Sequence, residues 1–195
     1  MRAKGYNAEP LRNCCGPKLN VSDLQSLCEY LAQSRSKFLA SFRKLGWEEF
    51  TRNREASWQS MRGVFIHILE VEDSWLHYDA MGVPWPFGDR DPSAFKSFDE
   101  VEAYDRELAE KTRKLIENLT PGTLAREVVF EWRDGKVKSS IENIFIHAFV
   151  DELAHLGELV CLMWQSDAKP PWTNWLEKHH EPILGSSSLD REEFA

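Results

Sequence analysis

The stretch "IFIHAFVDELAH", residues 144–155, decides how this chain folds. Its apolar residues recur at helical spacing around most of the circumference, which predicts a helix at the centre of a bundle. Two histidines and two acidic residues interrupt that apolar surface. At the helical repeat of 100° per residue, His147, Asp151, His155 and the following Glu158 fall within an arc of about 80°. Gln165 returns to the same line. A buried lone carboxylate is costly unless it is paired, hydrogen-bonded or bound to a cation, so Asp151 requires a partner.

Working outward, Ser139 with Glu142 reads as a capping box that opens this helix, and Pro170-Pro171 follows its end near Trp164. Just upstream, "REVVFEWRDGKVKSS" (126–140) alternates around Asp134-Gly135, a strong hairpin-turn signal. Ser97 with Glu100 caps another helix, carrying Phe98, Val101, Tyr104, Leu108, Leu115 and Leu119, which Pro121-Gly122 closes. A helix over 57–81 holds Met61, Val64, Phe65, Ile68, Val71, Trp75 and Leu76 and stops at Gly82 and Pro84. The first helix begins with Ser22 and Gln25 and runs to Gly46. The segment "GVPWPFGDRDPSAF" (82–95) has the Pro/Gly density of a long loop, and its aromatics predict that it packs down. Four long helices and one hairpin predict an all-α four-helix bundle over residues 21–178. An irregular segment, 1–20, precedes it, and a disordered tail, 179–195, follows.

Composition narrows the function. The 195 residues are 42% apolar, with eight Trp and eleven Phe, enough for one sizeable core. A net charge of -8 without a Lys/Arg cluster argues against nucleic-acid binding and does not favour acidic substrates. There is neither a secretory h-region nor an apolar run long enough to span a bilayer, so the expected location is the cytoplasm and no membrane partner is expected. Cys28 and Cys161 sit in apolar helical patterns and read as buried, reduced thiols. Cys14-Cys15 reads as an incidental pair or a redox or soft-metal site. His179-His180 reads as a metal-binding or merely solvated pair.

Helical positions i and i+4 lie about 6 Å apart along the axis, a gap that two ligands of one ion can bridge, whereas i and i+8 lie about 12 Å apart. Asp151 can therefore share an ion with either His147 or His155. Glu152, at i−3 from His155, is the competing carboxylate. "VFIHIL" (64–69) echoes "IFIHAF" (144–149), which makes His67 the candidate ligand from a second helix. Two His and one carboxylate leave coordination positions open, as in catalytic sites. The same residues also admit a reading without metal, in which His67 and His147 are hydrogen-bonded core histidines and Asp151 pairs with an arginine such as Arg62.

Taken together, "FIHILEVEDSW" (65–75), "IHAFVDELAHLGELVCLMWQ" (146–165) and "KPPWTNWL" (169–176) resemble the DinB-like, or YfiT-like, superfamily of metal-binding four-helix bundles over roughly residues 22–177. The most specific part is "HLGEL" (155–159), similar to that family's His-Arg-Gly-Gln/Glu turn, with Leu156 where Arg is common. The resemblance implies a metal triad of a His on the second helix and a His-x3-His pair on the fourth, which corresponds to His67, Asp151 and His155. Asp151 replaces the middle His. That change favours a harder ion or weakens binding, and acidic residues at this point in an archaeal-type branch of the family favour retention.

The resemblance further implies a divalent ion, Zn or Ni with Mn or Fe as alternatives, and a metal-dependent hydrolase or thiol-using transferase or isomerase acting on an unidentified small molecule. A homodimer is implied as well. Glu70, one turn beyond His67, and Glu152 are candidate general bases, although a helical glutamate also reads as a solvated or ion-paired residue. Gly157, costly in mid-helix, suits close approach of a neighbouring helix or ligand. The rival expectation is a non-catalytic dimeric binding or stress-response module whose metal is structural or vestigial. The family's name suggests a DNA-damage-response role, but the acidic charge lends no support to direct DNA contact.

Overall fold

The computed structural model describes residues 19–88, 91–132 and 135–176. Cys14-Cys15, His179-His180 and most of both terminal segments lie outside the described residues. Helix α1 (Val21–Leu45) starts in a capping box, but the box is formed by Asn20 and Asp23 rather than Ser22 and Gln25. Each side chain of that pair accepts from the other's backbone N–H, and this reciprocity fixes the start two residues early. Gly46, at φ 92°, breaks the helix and opens α2 (Trp47–Thr51), a single turn too short to show periodicity.

Helix α3 (Met61–His77) is shorter at both ends than the apolar pattern predicts. Ser60 caps it, and past Tyr78 the chain tightens into a 3-10 turn over Asp79–Met81 that ends at left-handed Gly82. Helix α4 (Phe98–Glu117) is capped by Ser97 as expected. The Pro121-Gly122 pair, read as a stop, instead opens a short helix, α5 (Pro121–Ala125), because Thr120 caps it and proline suits the first turn. Strands β1 (Glu127–Trp132) and β2 (Gly135–Ser140) form the expected antiparallel hairpin, with Phe130 opposite Val137. Helix α6 (Ile141–Trp164) starts one residue later than read, since Ser140 rather than Ser139 accepts from Asn143 N–H.

The four long helices form the bundle: α3 packs most extensively on α6 and α1 on α4, and the α3–α4 and α1–α6 contacts close the ring. Phe38, Phe42, Phe50, Phe65 and Phe145 have no exposed surface, and burial of each contributes about 1.5–3 kcal/mol. α6 packs chiefly against two neighbours in this ring, so it is less enclosed than its sequence predicts. Val150 (58% exposed), Leu153 (42%) and Trp164 (58%) face outward. Cys161 is exposed on that side too, while Cys28 is buried, and both thiols are free. The segment after α6 returns over α1, where Lys37 donates to the Trp172 carbonyl (3.0 Å) and Trp175 meets Tyr30 edge-on at 5.4 Å.

Between the helices lies a charged quartet that the sequence reading did not anticipate, with one member from each long helix. Arg35 of α1, 1% exposed, donates through Nη1 to Glu72 of α3 (2.6 Å) and to Glu152 of α6 (2.8 Å), and through Nε to Asp105 of α4 (2.6 Å). Burial opposes its charge, but the three carboxylates hold its pKa well above the ordinary value. Thr112 donates to Glu72 and so accepts from Nε2–H of His77, which extends the network to the end of α3.

Candidate metal centre

His67 stands in the second turn of α3, and Asp151 and His155 stand one turn apart on α6. The extensive α3–α6 packing brings them together, and one ligand atom from each lies within 4.8 Å of the other two. Asp151 Oδ2 sits between the two rings, 3.8 Å from His67 Nε2 and 3.7 Å from His155 Nε2. Two ligands of one tetrahedral ion with bonds near 2.1 Å are about 3.4 Å apart, so these separations are only slightly wider than a bound cation requires. They are too long for hydrogen bonds. Asp151 Oδ2 is in fact buried without any hydrogen-bond partner among the described residues. A desolvated carboxylate oxygen held between two imidazole nitrogens, with no proton donor of its own, fits a divalent cation.

The surrounding residues orient the ligands. His155 Nδ1 donates to Glu158 Oε2 at 2.9 Å, which leaves Nε2 as the lone-pair nitrogen facing Asp151. Glu158 is itself held by Ser57, whose hydroxyl lies 2.8 Å from both carboxylate oxygens and whose N–H lies 3.1 Å from Oε1. Burial alone would raise the Glu158 pKa, but the hydrogen bonds from His155 and Ser57 more than offset it and leave the carboxyl below its usual value. Trp58 stacks on the His67 ring at 4.0 Å and 21°, and the two histidine rings meet edge-on at 4.8 Å.

Ser57 and Trp58 come from the irregular connection between α2 and α3. Glu55 and Gln59 adopt positive φ there (54° and 66°), conformations that non-glycine residues hold only under constraint. Part of the constraint is a bond from Arg54 N–H to the Gln59 carbonyl at 2.6 Å. The rest is Gly63. A Cβ at that position would lie 1.9 Å from the Trp58 carbonyl oxygen, so only glycine lets the connection lie this close to the first turn of α3.

The other candidates fall elsewhere. Glu152, expected as a candidate general base, is 1% exposed and bound to Arg35, because its place next to Asp151 turns it about 100° round the helix. Burial pushes its carboxyl above the ordinary range, and the Arg35 guanidinium beside it opposes that shift. Glu70 is 8% exposed on α3 and is not a member of the ligand group. His147 stays outside the triad and packs edge-on against Trp75 at 4.5 Å. Arg62 does not serve Asp151: it donates to the Phe95 carbonyl and lies over the Trp47 ring. Among the described residues nothing lies within 4 Å of a would-be Cβ at Gly157, so no described helix approaches it closely. Sequence reasoning placed Glu158 on the polar stripe without a role, and it missed Ser57, Trp58 and Arg35. Of these, Glu158 at i+3 from His155 and Arg35 at apolar spacing between Leu31 and Phe38 both left a usable signal.

Among the described residues no helix is long and apolar enough to cross a membrane. No curated protein matches the chain. Its backbone superposes on the crystal structure of a DinB-like protein from Bacillus subtilis with a TM-score of 0.55, over 79% of this chain and 96% of that one, at 17% identity. That likeness supports the bundle fold. The sequence model of the DinB family matches residues 18–185, nearly the whole bundle with its hairpin and closing segment, and the chain belongs to that family.

Proposed function

We propose that this DinB-family chain binds a divalent metal ion through His67, Asp151 and His155 and uses it as a hydrolase or a thiol-using transferase. The observation that carries this reading is the buried Asp151 oxygen, set between two imidazole nitrogens and lacking a proton donor. When bound, such an ion acts as a Lewis acid that lowers the pKa of a water or a thiol. Two imidazoles and one carboxylate suit Zn or Ni, with Mn or Fe as further candidates. Glu158 keeps Nε2 of His155 available as a ligand atom by taking the Nδ1 proton in its hydrogen bond. The stacked Trp58 covers one face of His67 and limits rotation of its ring. Glu70 is the candidate base, since Glu152 is committed to Arg35. Two free cysteines among the described residues fit a reducing compartment such as the cytoplasm.

The exposed apolar stripe on α6 supports a homodimer built across that helix. Val150, Leu153 and Trp164 lie on it with Gly157 between them, where a second backbone could approach closely. The expected Leu153→Glu outcome is a monomer in sedimentation analysis where the wild type is a dimer.

Metal content measured by mass spectrometry on protein purified without a histidine tag tests the central reading. Near-stoichiometric metal in the wild type, lost in His155→Ala and Asp151→Asn, supports it and directs a screen of ester, amide and thiol-transfer substrates. A wild type that stays metal-free after incubation with Zn²⁺, Ni²⁺, Mn²⁺ and Fe²⁺ overturns it and leaves a non-catalytic binding module.

A further inference from the structure

About two turns along α3 from His67, the chain builds a second cleft that the metal reading does not use. It has a volume of about 570 Å³ and lies between the end of α3, the loop after it and the hairpin. Its walls are aromatic and apolar: Trp75 from α3, Trp85 and Pro84 from the loop, and Phe130 from β1. The walls are braced, since Trp75 and Phe130 meet edge-on at 5.3 Å, while Trp85 is held by Tyr78 at 4.9 Å and donates to the Gly88 carbonyl at 2.7 Å. Into this lining comes one carboxylate, Asp79, at the start of the 3-10 turn.

Asp79, half-buried at this cleft, differs from most acidic groups of the chain's interior. Glu72, Asp105 and Glu152 share Arg35, and Asp73 has Lys111 at 2.6 Å. Asp79 forms no ion pair or side-chain hydrogen bond among the described residues. Burial alone pushes its carboxyl up to about 6, with no neighbouring cation pulling it back. Lys136 also lines the cleft, but it forms no ion pair with Asp79. Aromatic residues lining a cleft with a carboxylate that has no ion-pair partner are the surroundings that recognise an organic ammonium group, through cation–π attraction together with one charge pair.

We propose that this cleft binds an organic ammonium ion, with the charged nitrogen at Asp79 and the carbon skeleton against Trp75, Trp85 and Phe130. The site is independent of the metal centre and does not require it. Titration calorimetry at pH 8 in the presence of EDTA, where Asp79 is ionised and the metal site is stripped, compares three probes of one shape: 2-phenylethylammonium, 2-phenylethanol and phenylacetate. The ammonium is expected to bind at least about tenfold more tightly than the alcohol, and phenylacetate most weakly of the three. Asp79→Asn should bring the ammonium down to the level of the alcohol. Trp85→Ala should weaken both, and circular dichroism verifies that each variant is folded. Equal affinity for ammonium and alcohol, preference for phenylacetate, or no binding of any probe at millimolar concentration overturns the proposal.

Discussion

Two neighbouring residues of α6, Asp151 and Glu152, place carboxylates inside the same bundle and meet opposite fates. Glu152 turns toward the quartet, where the protein supplies its own cation in Arg35. Asp151 turns toward α3 and finds two imidazoles, neither within hydrogen-bond distance. Buried acid requires a cation in both places. In the metal-binding reading proposed above, the difference is whether the chain carries that cation or takes it from solution, and this separates a structural polar cluster from a site able to exchange its occupant.

The sharpest test removes the built-in cation. Arg35→Met strands three carboxylates in the interior and should destabilise the fold by about 3–5 kcal/mol, read as a lower urea midpoint. Adding Glu72→Gln and Glu152→Gln should recover much of that loss, and an Arg35→Met variant as stable as wild type would dissolve the distinction. Asp151→Asn is the mirror experiment. Metal affinity should fall by at least about 100-fold, while the metal-free protein should be as stable as wild type or slightly more so, because a desolvated charge has been removed. A clear loss of apo stability would instead mean that Asp151 is paired within the protein.

Smaller effects sharpen the picture. Glu158→Gln keeps the shape but weakens the hold on His155 Nδ1, so metal affinity should drop about 10- to 100-fold in a competition titration. On the quartet side, burial and then Lys111 depress the His77 pKa from 6.5 to about 4. The unfolded chain therefore takes up this proton first as the pH falls. The stability is fully present above pH 6.5 and is lost progressively toward pH 4. Allowing for partial exposure, the loss amounts to about 1–2 kcal/mol, and His77→Gln should flatten that part of the stability–pH curve.

How far these two regions could be read from sequence follows from how each is encoded. The i, i+4 spacing and the repeated "FIH" marked His67 and Asp151 with either His147 or His155 on single helices, and the resemblance to DinB-like proteins pointed to His155. Glu152 was read as a candidate base that sits further round the helix, and that turn of about 100° carries it to Arg35, a partner on another helix that spacing along α6 does not reveal. Arg35 holds a core position, but a charged residue on an apolar stripe is naturally read as a solvated gap. The bundle and hairpin follow from periodicity and turn chemistry. The helix starts shifted by up to four residues because several Ser and Asn compete to cap each one and only packing decides between them. Ser57 and Trp58 had no signature, because positive φ at Glu55 and Gln59 is held by the Arg54–Gln59 backbone bond and by docking against Gly63, not by a glycine in the segment.

Gly63 bears on design and transplantation. Because no side chain stands there, the backbone at Trp58 rests against α3, and through it one histidine gains a stacking partner and the other a braced carboxylate. Grafting His67, Asp151 and His155 alone onto another antiparallel helix pair would copy the ligands but not their aim. The portable unit is the ligand set together with the nine-residue connection 52–60 and the missing methyl group that lets it dock.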